Sequence, residues 1–494
     1  MVDTLIVGGG TAGCVLAARL SENPDHTVLL LEAGPVWATA AEIPVGLLDA
    51  THLPVGPGSP WLWTYPVTLA SDGRGGEVAG TIVRGRVIGG SGAINGSYFA
   101  RATAADFSAW SERLGKSSAW SFDEVLPIYR RLEHDHDFGD RPWHGATGPM
   151  PVRRTAAPVA LSVEFAAACA AAGIPAIADL NAPQGTGPAE GVALVPCSVE
   201  DGRRVSTGSA YLLPALSRPN LTAVGRTSVT RVRFGGTRAI GVEYLRDGVV
   251  DTVSADRIVL CAGAIESAAL LLRSGIGPAE QLRALDIPVR HPAPVGIGFS
   301  DHPEIGVEYR LDHTLRPPDT VPLEYVLSLD DIEIRPYTVA FTPHVQRLGV
   351  ALMRPHAEGV LRLRSTDLAA TPHIEHRYLS AEHDRDRLRE GVVIATELLR
   401  GISAARVSNP MPESSGAATD MWLRANLATS QHLSGTCRMG RAADERAVVD
   451  ELCSVHGVTG LSVVDLSIVP VPLSRGPQAT AVLVAERAAD HLVR

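Results

Sequence analysis

At 494 residues the chain is too long for one hydrophobic core, so two or more joined domains are expected. Apolar residues make up 45% and charged residues 20%, an ordinary globular composition. The 44 basic and 54 acidic residues leave a formal charge of −10, which argues against non-specific nucleic-acid binding. The cysteines (Cys14, Cys169, Cys197, Cys261, Cys437, Cys453) form no C-x-x-C pair, so neither a disulfide framework nor a zinc knuckle is read, and Cys14 and Cys261 read as small core residues. No run of 18 apolar residues predicts a membrane-spanning helix, and no basic leader precedes the first strand. A cytoplasmic protein is expected, with peripheral membrane contact left open.

The first elements are a strand at Thr4–Val7, a helix at Ala12–Leu20 and a strand at Thr27–Glu32. They make one βαβ unit of α/β type. Between its first two elements lies G-x-G-x-x-G: Gly8, Gly9, Gly10, Thr11, Ala12, Gly13. Gly8 permits the tight turn, Gly10 lets a pyrophosphate approach the backbone, and Gly13 lets helix and strand lie close. The helix N-terminus then offers free N–H groups to an anion. Glu32 ends the second strand, where a carboxylate accepts from ribose hydroxyls and repels a 2′-phosphate. A dinucleotide is the ligand this unit suits.

A second glycine-rich block runs from Arg84 to Gly96 and holds Arg86, Gly89, Gly90, Ser91, Gly92 and Asn95. Such a run suits backbone lying against a flat ligand. The run Glu133–Asp137 lacks the spacing of a metal site and reads as a solvated charge run in a connecting segment, so no metal is expected. Ala156–Ala172 reads as a helix, Leu221–Ile258 as several strands, Arg257–Cys261 as a strand and Ser267–Arg273 as a helix stopped by Gly275. Residues 301–425 alternate strand-like and charged segments. A third glycine turn, Gly435–Gly440, follows His432, and the chain closes on a strand at Leu461–Val464 and a helix at Ala479–Leu492.

Blocks in a fixed order resemble the glucose-methanol-choline oxidoreductase family over essentially the whole chain. They are VGGGTAG and LEAG (Val7–Gly13, Leu31–Gly34), GRVIGGSGAINGSYF (Gly85–Phe99), GAIESAALLLRSGIG (Gly263–Gly277), DHP (Asp301–Pro303), HLSGTCRMG (His432–Gly440) and the ending from Val463 to Asp490. The resemblance implies a Rossmann-like FAD-binding domain (1–40, 75–110, 200–300 and 426–494). It also implies a substrate domain on a mostly antiparallel sheet covered by helices (41–74, 111–199 and 301–425). It implies FAD contacts at Gly8–Gly13, Glu32, Ala33, Arg86, Gly89–Ser91 and Asn95. Val229 would reach the adenine, Ala262 and Asp465 the pyrophosphate and ribityl chain, and Pro477 and Gln478 the isoalloxazine. The implied chemistry is alcohol oxidation with hydride transfer to flavin N5, and His432 matches the base or the group that holds the alkoxide. An imidazole, with an ordinary pKa of about 6.5, suits that proton transfer.

The pattern is not complete. Where the family carries a second His or Asn before a proline, this chain has Gly476, and the neighbouring Arg475 is the candidate substitute. Ile94 stands where some members link flavin through histidine, so non-covalent FAD is expected. Leu433 and Ala268 replace prolines. The loops Val83–Arg101, Leu53–Pro60, His144–Thr155, Ile177–Asn181 and Ser474–Pro477 resemble the actinobacterial branch associated with mycofactocin, a redox cofactor derived from a ribosomal peptide. That implies a small-molecule or peptide-derived redox substrate and a respiratory electron acceptor. An oxygen-using oxidase of small alcohols and a non-redox FAD-containing lyase are the alternatives.

Overall fold

The computed structural model describes residues 2–115, 119–183, 190–311, 320–340, 342, 344–403, 405–413 and 416–492. One seven-stranded sheet collects its strands from three distant parts of the chain. Its parallel section runs in the order Leu221–Val224, Val28–Leu31, Val2–Val7, Val249–Leu260, Leu461–Val463. Strands Thr227–Gly235 and Arg238–Arg246 complete it as an antiparallel meander. Val249–Leu260 serves both parts: Val249–Ser254 pairs in the meander and Ala255–Leu260 in the parallel section. Burial follows this division. Val249 and Val250 are exposed, whereas Ile258-Val259-Leu260 is a continuous apolar run covered on both faces, as parallel strands require.

The predicted βαβ unit is present as Val2–Val7, Thr11–Leu20 and Val28–Leu31. The closing helix, Gln478–Leu492, is buried almost all round and lies against Thr11–Leu20, so the two ends of the chain share one core. Helices at Ala160–Ala171 and Gly263–Arg273 match the predicted ones within a few residues at each end.

An eight-stranded sheet forms the second body. Its order is Ala405–Val407, Pro303–Leu311, Gln346–Leu352, Ile332–Pro336, Tyr325–Leu329, Gly191–Leu194, Ala176–Ile177, with Leu427–Thr429 also on Pro303–Leu311. Every pairing is antiparallel except that of Ala176–Ile177 with Gly191–Leu194. The helix Glu382–Arg400 covers one face. Among the described residues no helix is long and apolar enough to cross a membrane.

Two expectations are corrected. The boundary at 74/75 falls in the turn of a hairpin, Leu62–Ser71 with Glu77–Gly85, whose strands pair along their whole length. The Gly-rich segment there is a tight turn, in which Asp72 Oδ1 accepts from the amides of Arg74 (2.7 Å) and Gly76 (2.8 Å), not a linker. The run Glu133–Asp137 is solvated only in part, with Asp137 exposed. Glu133–Asp135 is a strand paired with Met150–Val152, and both carboxylates are buried. They are neutralised by groups remote in sequence. Arg101 binds Glu133, Arg154 reaches both Asp135 oxygens at 2.6 Å, and His144 bridges Glu133 (2.6 Å) and Asp179 (2.9 Å).

Candidate active site

The first glycine turn is forced by its neighbours. Gly8 has φ 101°, and a Cβ there would lie 2.7 Å from the Cys261 carbonyl oxygen; one at Gly13 would lie 1.9 Å from that of Gly8. A Cβ at Gly10 would make only ordinary contacts, at 3.8 Å and beyond, so the chain itself does not demand glycine at the position where the sequence puts the pyrophosphate. Gly10 also caps Thr11–Leu20 without a side-chain bond, which leaves the helix's first amides to an anion. The second glycine block crosses the first backbone to backbone: the Gly89 amide donates to the Gly9 carbonyl at 2.7 Å. This cradle fits an elongated diphosphate.

Glu32 has a role that its position in the strand did not show. Its Oε2 accepts from the Gly9 amide and its Oε1 from the Gly34 amide, each at 2.7 Å. Burial raises its pKa, against those two bonds. It therefore braces the glycine turn, with one lone pair per oxygen left over. Asp465 acts similarly on the Gly263–Arg273 helix. Its Oδ2 accepts from Gly263 (2.9 Å) and Ser267, and Ser267 Oγ accepts from Ala262 (3.0 Å). Gln478 opens the last helix with its amide 3.4 Å from Thr11 Oγ1, uniting the two ends of the chain at the cradle. Of the other predicted contacts, the Arg86 guanidinium lies 4.4 Å over Trp63, Ser91 Oγ accepts from Gly85, and Asn95 Oδ1 accepts from Ser97. Ala33, Val229 and Pro477 are half-buried, Val229 opposite Tyr244.

His432 stands beside a second histidine. Its Nδ1 lies 2.8 Å from Nδ1 of His302, with the rings at 83°. Asp301 fixes both residues: Oδ1 accepts from the amides of His432 (2.7 Å) and His302 (2.8 Å). Its Oδ2 faces Thr429 (2.8 Å) and His376 (3.2 Å). A two-way bridge between Ser300 and Ser434 closes the same junction. One of the two facing Nδ1 atoms must carry the proton of this bond, and with His432 as the donor its Nε2 keeps a lone pair.

The surroundings disfavour a charge on either ring. Burial pushes His302 down to about 4, helped by Arg335 and opposed by Asp301. Burial also holds His432 well below its ordinary value, helped by His302 and Arg335. Both rings are neutral near neutral pH. Asp301 is raised by burial, but His376, Arg84 and His432 outweigh this and leave it well below the usual carboxylate range.

Arg475 is buried and turns toward the second sheet, where Nη1 binds Ser328 Oγ at 3.0 Å and lies 3.4 Å from Glu333 Oε1. Glu333 also takes Tyr98 (3.1 Å) and two nitrogens of Arg335 (3.1 and 2.7 Å), and Arg335 reaches Glu304 at 2.9 Å. Sequence reasoning missed His302, Glu333, Arg335 and Tyr98. His302 did stand inside a quoted motif. Arg204, also missed, stitches the cradle by donating to the carbonyls of Asn95 (2.7 Å) and Leu47 (2.8 Å). Burial brings its pKa down to about 10.

Comparison with known proteins points the same way. Models of the GMC oxidoreductase family match residues 2–304 and 355–485. An uncharacterized GMC-type oxidoreductase of Rhodococcus erythropolis is 47% identical over 99% of this chain and 98% of its own length. The mitochondrial choline dehydrogenase of Mus musculus is 35% identical over 98% of this chain and 88% of its own. Among solved structures, pyridoxine 4-oxidase from Mesorbium loti superposes with a TM-score of 0.91 at 29% identity, covering 99% of both chains.

Proposed function

The chain belongs to the GMC oxidoreductase family, and from that premise we propose that it binds FAD non-covalently and oxidises the CH–OH group of an alcohol-type substrate with His432 as the base. The observation that carries this is the His302–His432 pair, which engages Nδ1 of a half-buried His432 ring and leaves Nε2 to act as the base. Bound FAD would supply the two-electron acceptor. The chain's part is positional and protonic. Nε2 of His432 takes the hydroxyl proton, which pushes electron density onto the carbinol carbon. The resulting imidazolium strengthens its Nδ1–H bond to His302. Asp301 holds both rings by their backbones while this happens.

The finer reading is a dehydrogenase of the mycofactocin-associated branch, reoxidising the reduced cofactor and passing electrons to a respiratory acceptor. The loop resemblances at Val83–Arg101 and Ser474–Pro477 support it. The likeness to pyridoxine 4-oxidase supports the second reading, an oxidase that uses oxygen. Mixing the FAD-loaded protein with alcohols anaerobically and then in air tests both. Bleaching of the flavin without oxygen is expected, with slow recolouring in air and fast recolouring by a quinone. Peroxide formation at the rate of turnover would replace the dehydrogenase with the oxidase. No bleaching by any alcohol, including a reduced mycofactocin preparation, would remove the redox reading.

A further inference from the structure

The residues after Leu473 lead directly from the histidine pair into a buried charged cluster. No positive φ calls for glycine at 476. A Cβ there would instead lie 2.4 Å from Cδ1 and 2.7 Å from Cε1 of Tyr98. The ring of Tyr98 thus takes the volume that a side chain at 476 would fill. Its hydroxyl and Arg475 Nη1 converge on one oxygen, Glu333 Oε1, at 3.1 and 3.4 Å. The other oxygen of Glu333 is held by Arg335, which also binds Glu304. Arg335 Nη1 also donates to Ser430 Oγ (2.7 Å), whose amide donates to the His302 carbonyl (3.0 Å), so this cluster adjoins the histidine pair.

Its charges are already matched. Arg335 and Arg475 face Glu333 and Glu304, which leaves no carboxylate for a cationic substrate. Arg475 is not matched in hydrogen bonds. It is 2% exposed, and its Nε and Nη2 have no hydrogen-bond partner among the described residues. Buried donors without acceptors are costly, and a guanidinium edge suits an oxygen acceptor.

We propose that Arg475 and Tyr98 form the selective wall of the substrate site, which admits alcohols carrying a further oxygen acceptor (a carboxylate, carbonyl or phenol-type oxygen) and rejects quaternary ammonium alcohols. This rests on the reading of the site as an alcohol-oxidising centre. It separates the chain from the choline-named relatives by a physical cause: a trimethylammonium group accepts no hydrogen bond, and the carboxylates that could balance its charge are already paired with Arg335 and Arg475.

The test uses the FAD-loaded protein and two matched pairs of substrates: choline with its uncharged tert-butyl isostere, and benzyl alcohol with its para-carboxylate. In kcat/KM for flavin reduction, the wild type should favour the isostere over choline, and the carboxylate over benzyl alcohol, each by at least about ten-fold. Arg475→Gln should move both ratios toward one, and Arg475→Lys should keep the first while losing part of the second. A wild type that prefers choline, or ratios untouched in Arg475→Gln, would overturn the proposal. Should that variant fail to fold, titration of the wild-type flavin spectrum with benzoate and with tetramethylammonium decides instead. Saturable perturbation by benzoate alone is expected, and a response to tetramethylammonium alone overturns the wall. If no alcohol bleaches the flavin, the reading of the reaction fails, whereas the benzoate titration still judges the wall.

Discussion

Replacing His302 by Phe keeps a flat ring of similar volume and removes the one acceptor of the His432 Nδ1–H. Before proton transfer that bond joins two neutral rings and contributes about 0.5–1.5 kcal/mol; once His432 is charged it contributes about 1.5–3 kcal/mol. The part lost only in the transition state is therefore about 1–1.5 kcal/mol, which slows flavin reduction about 5- to 15-fold. The substitution also frees His432 to carry its proton on Nε2, the nitrogen that has to accept one, and this acts in the same direction. His302→Gln retains an acceptor oxygen and should recover part of the rate. The assay is anaerobic stopped-flow reduction of the flavin under saturating alcohol, with flavin content measured separately to exclude loss of the cofactor. Equal rates in the Phe variant and the wild type, or equal losses in the Phe and Gln variants, would show that the ring–ring bond does not support the base.

Three further outcomes are expected. Because burial holds His302 and His432 below the ordinary imidazole value, the rate of flavin reduction should be flat across neutral pH and fall only well below about pH 6.5; a limb centred at that value would show His432 to be solvated. Glu32→Gln replaces a carboxylate bonded to two backbone amides by a group with one acceptor oxygen, so about 1.5–3 kcal/mol of support for the glycine turn is lost. Gel filtration should then strip FAD that the wild type retains, and a fully yellow eluate would contradict the bracing role. His144→Gln leaves the buried carboxylates Glu133, Asp135 and Asp179 facing only Arg101 and Arg154, and should cost about 3–5 kcal/mol in denaturant unfolding. Burial lowers the pKa of His144 but its bonds to Asp179 and Glu133 outweigh this and raise it, so the contribution is complete below about pH 6.5 and fades as pH rises through the raised value. The variant should accordingly lose its disadvantage in alkali.

The first glycine turn was legible in the sequence because its constraints are local. Gly8 needs a positive φ, Gly13 touches Gly8 itself, and both demands act within one turn. The helix–strand pattern around them is as local, which is why Thr11–Leu20 and Val28–Leu31 fall where periodicity puts them. The histidine pair is different in kind. His302 and His432 are 130 residues apart and meet only because Leu427–Thr429 pairs with Pro303–Leu311, which brings Thr429 opposite Pro303 and the two histidines just beyond the paired ends. No spacing in the sequence encodes that register. Glu333 and Arg475 are further apart still and meet across the faces of two bodies.

Charge was the least legible property of all. Within Glu133–Asp137, read from the sequence as solvent-facing throughout, Glu133 and Asp135 are core, because Arg101, His144, Arg154 and Asp179 come from other segments to close the network. The position of Gly476 teaches the converse. A missing side chain in a motif suggested a gap in the active site, yet the Tyr98 ring fills that volume, and Glu333 binds Tyr98 on one side and Arg475 on the other. Gly476 and Tyr98 are therefore complementary in volume, and the consequence falls on Arg475. With position 476 closed to a hydrogen-bonding side chain, the buried donors of Arg475 are the polar groups this stretch of chain can still offer a substrate.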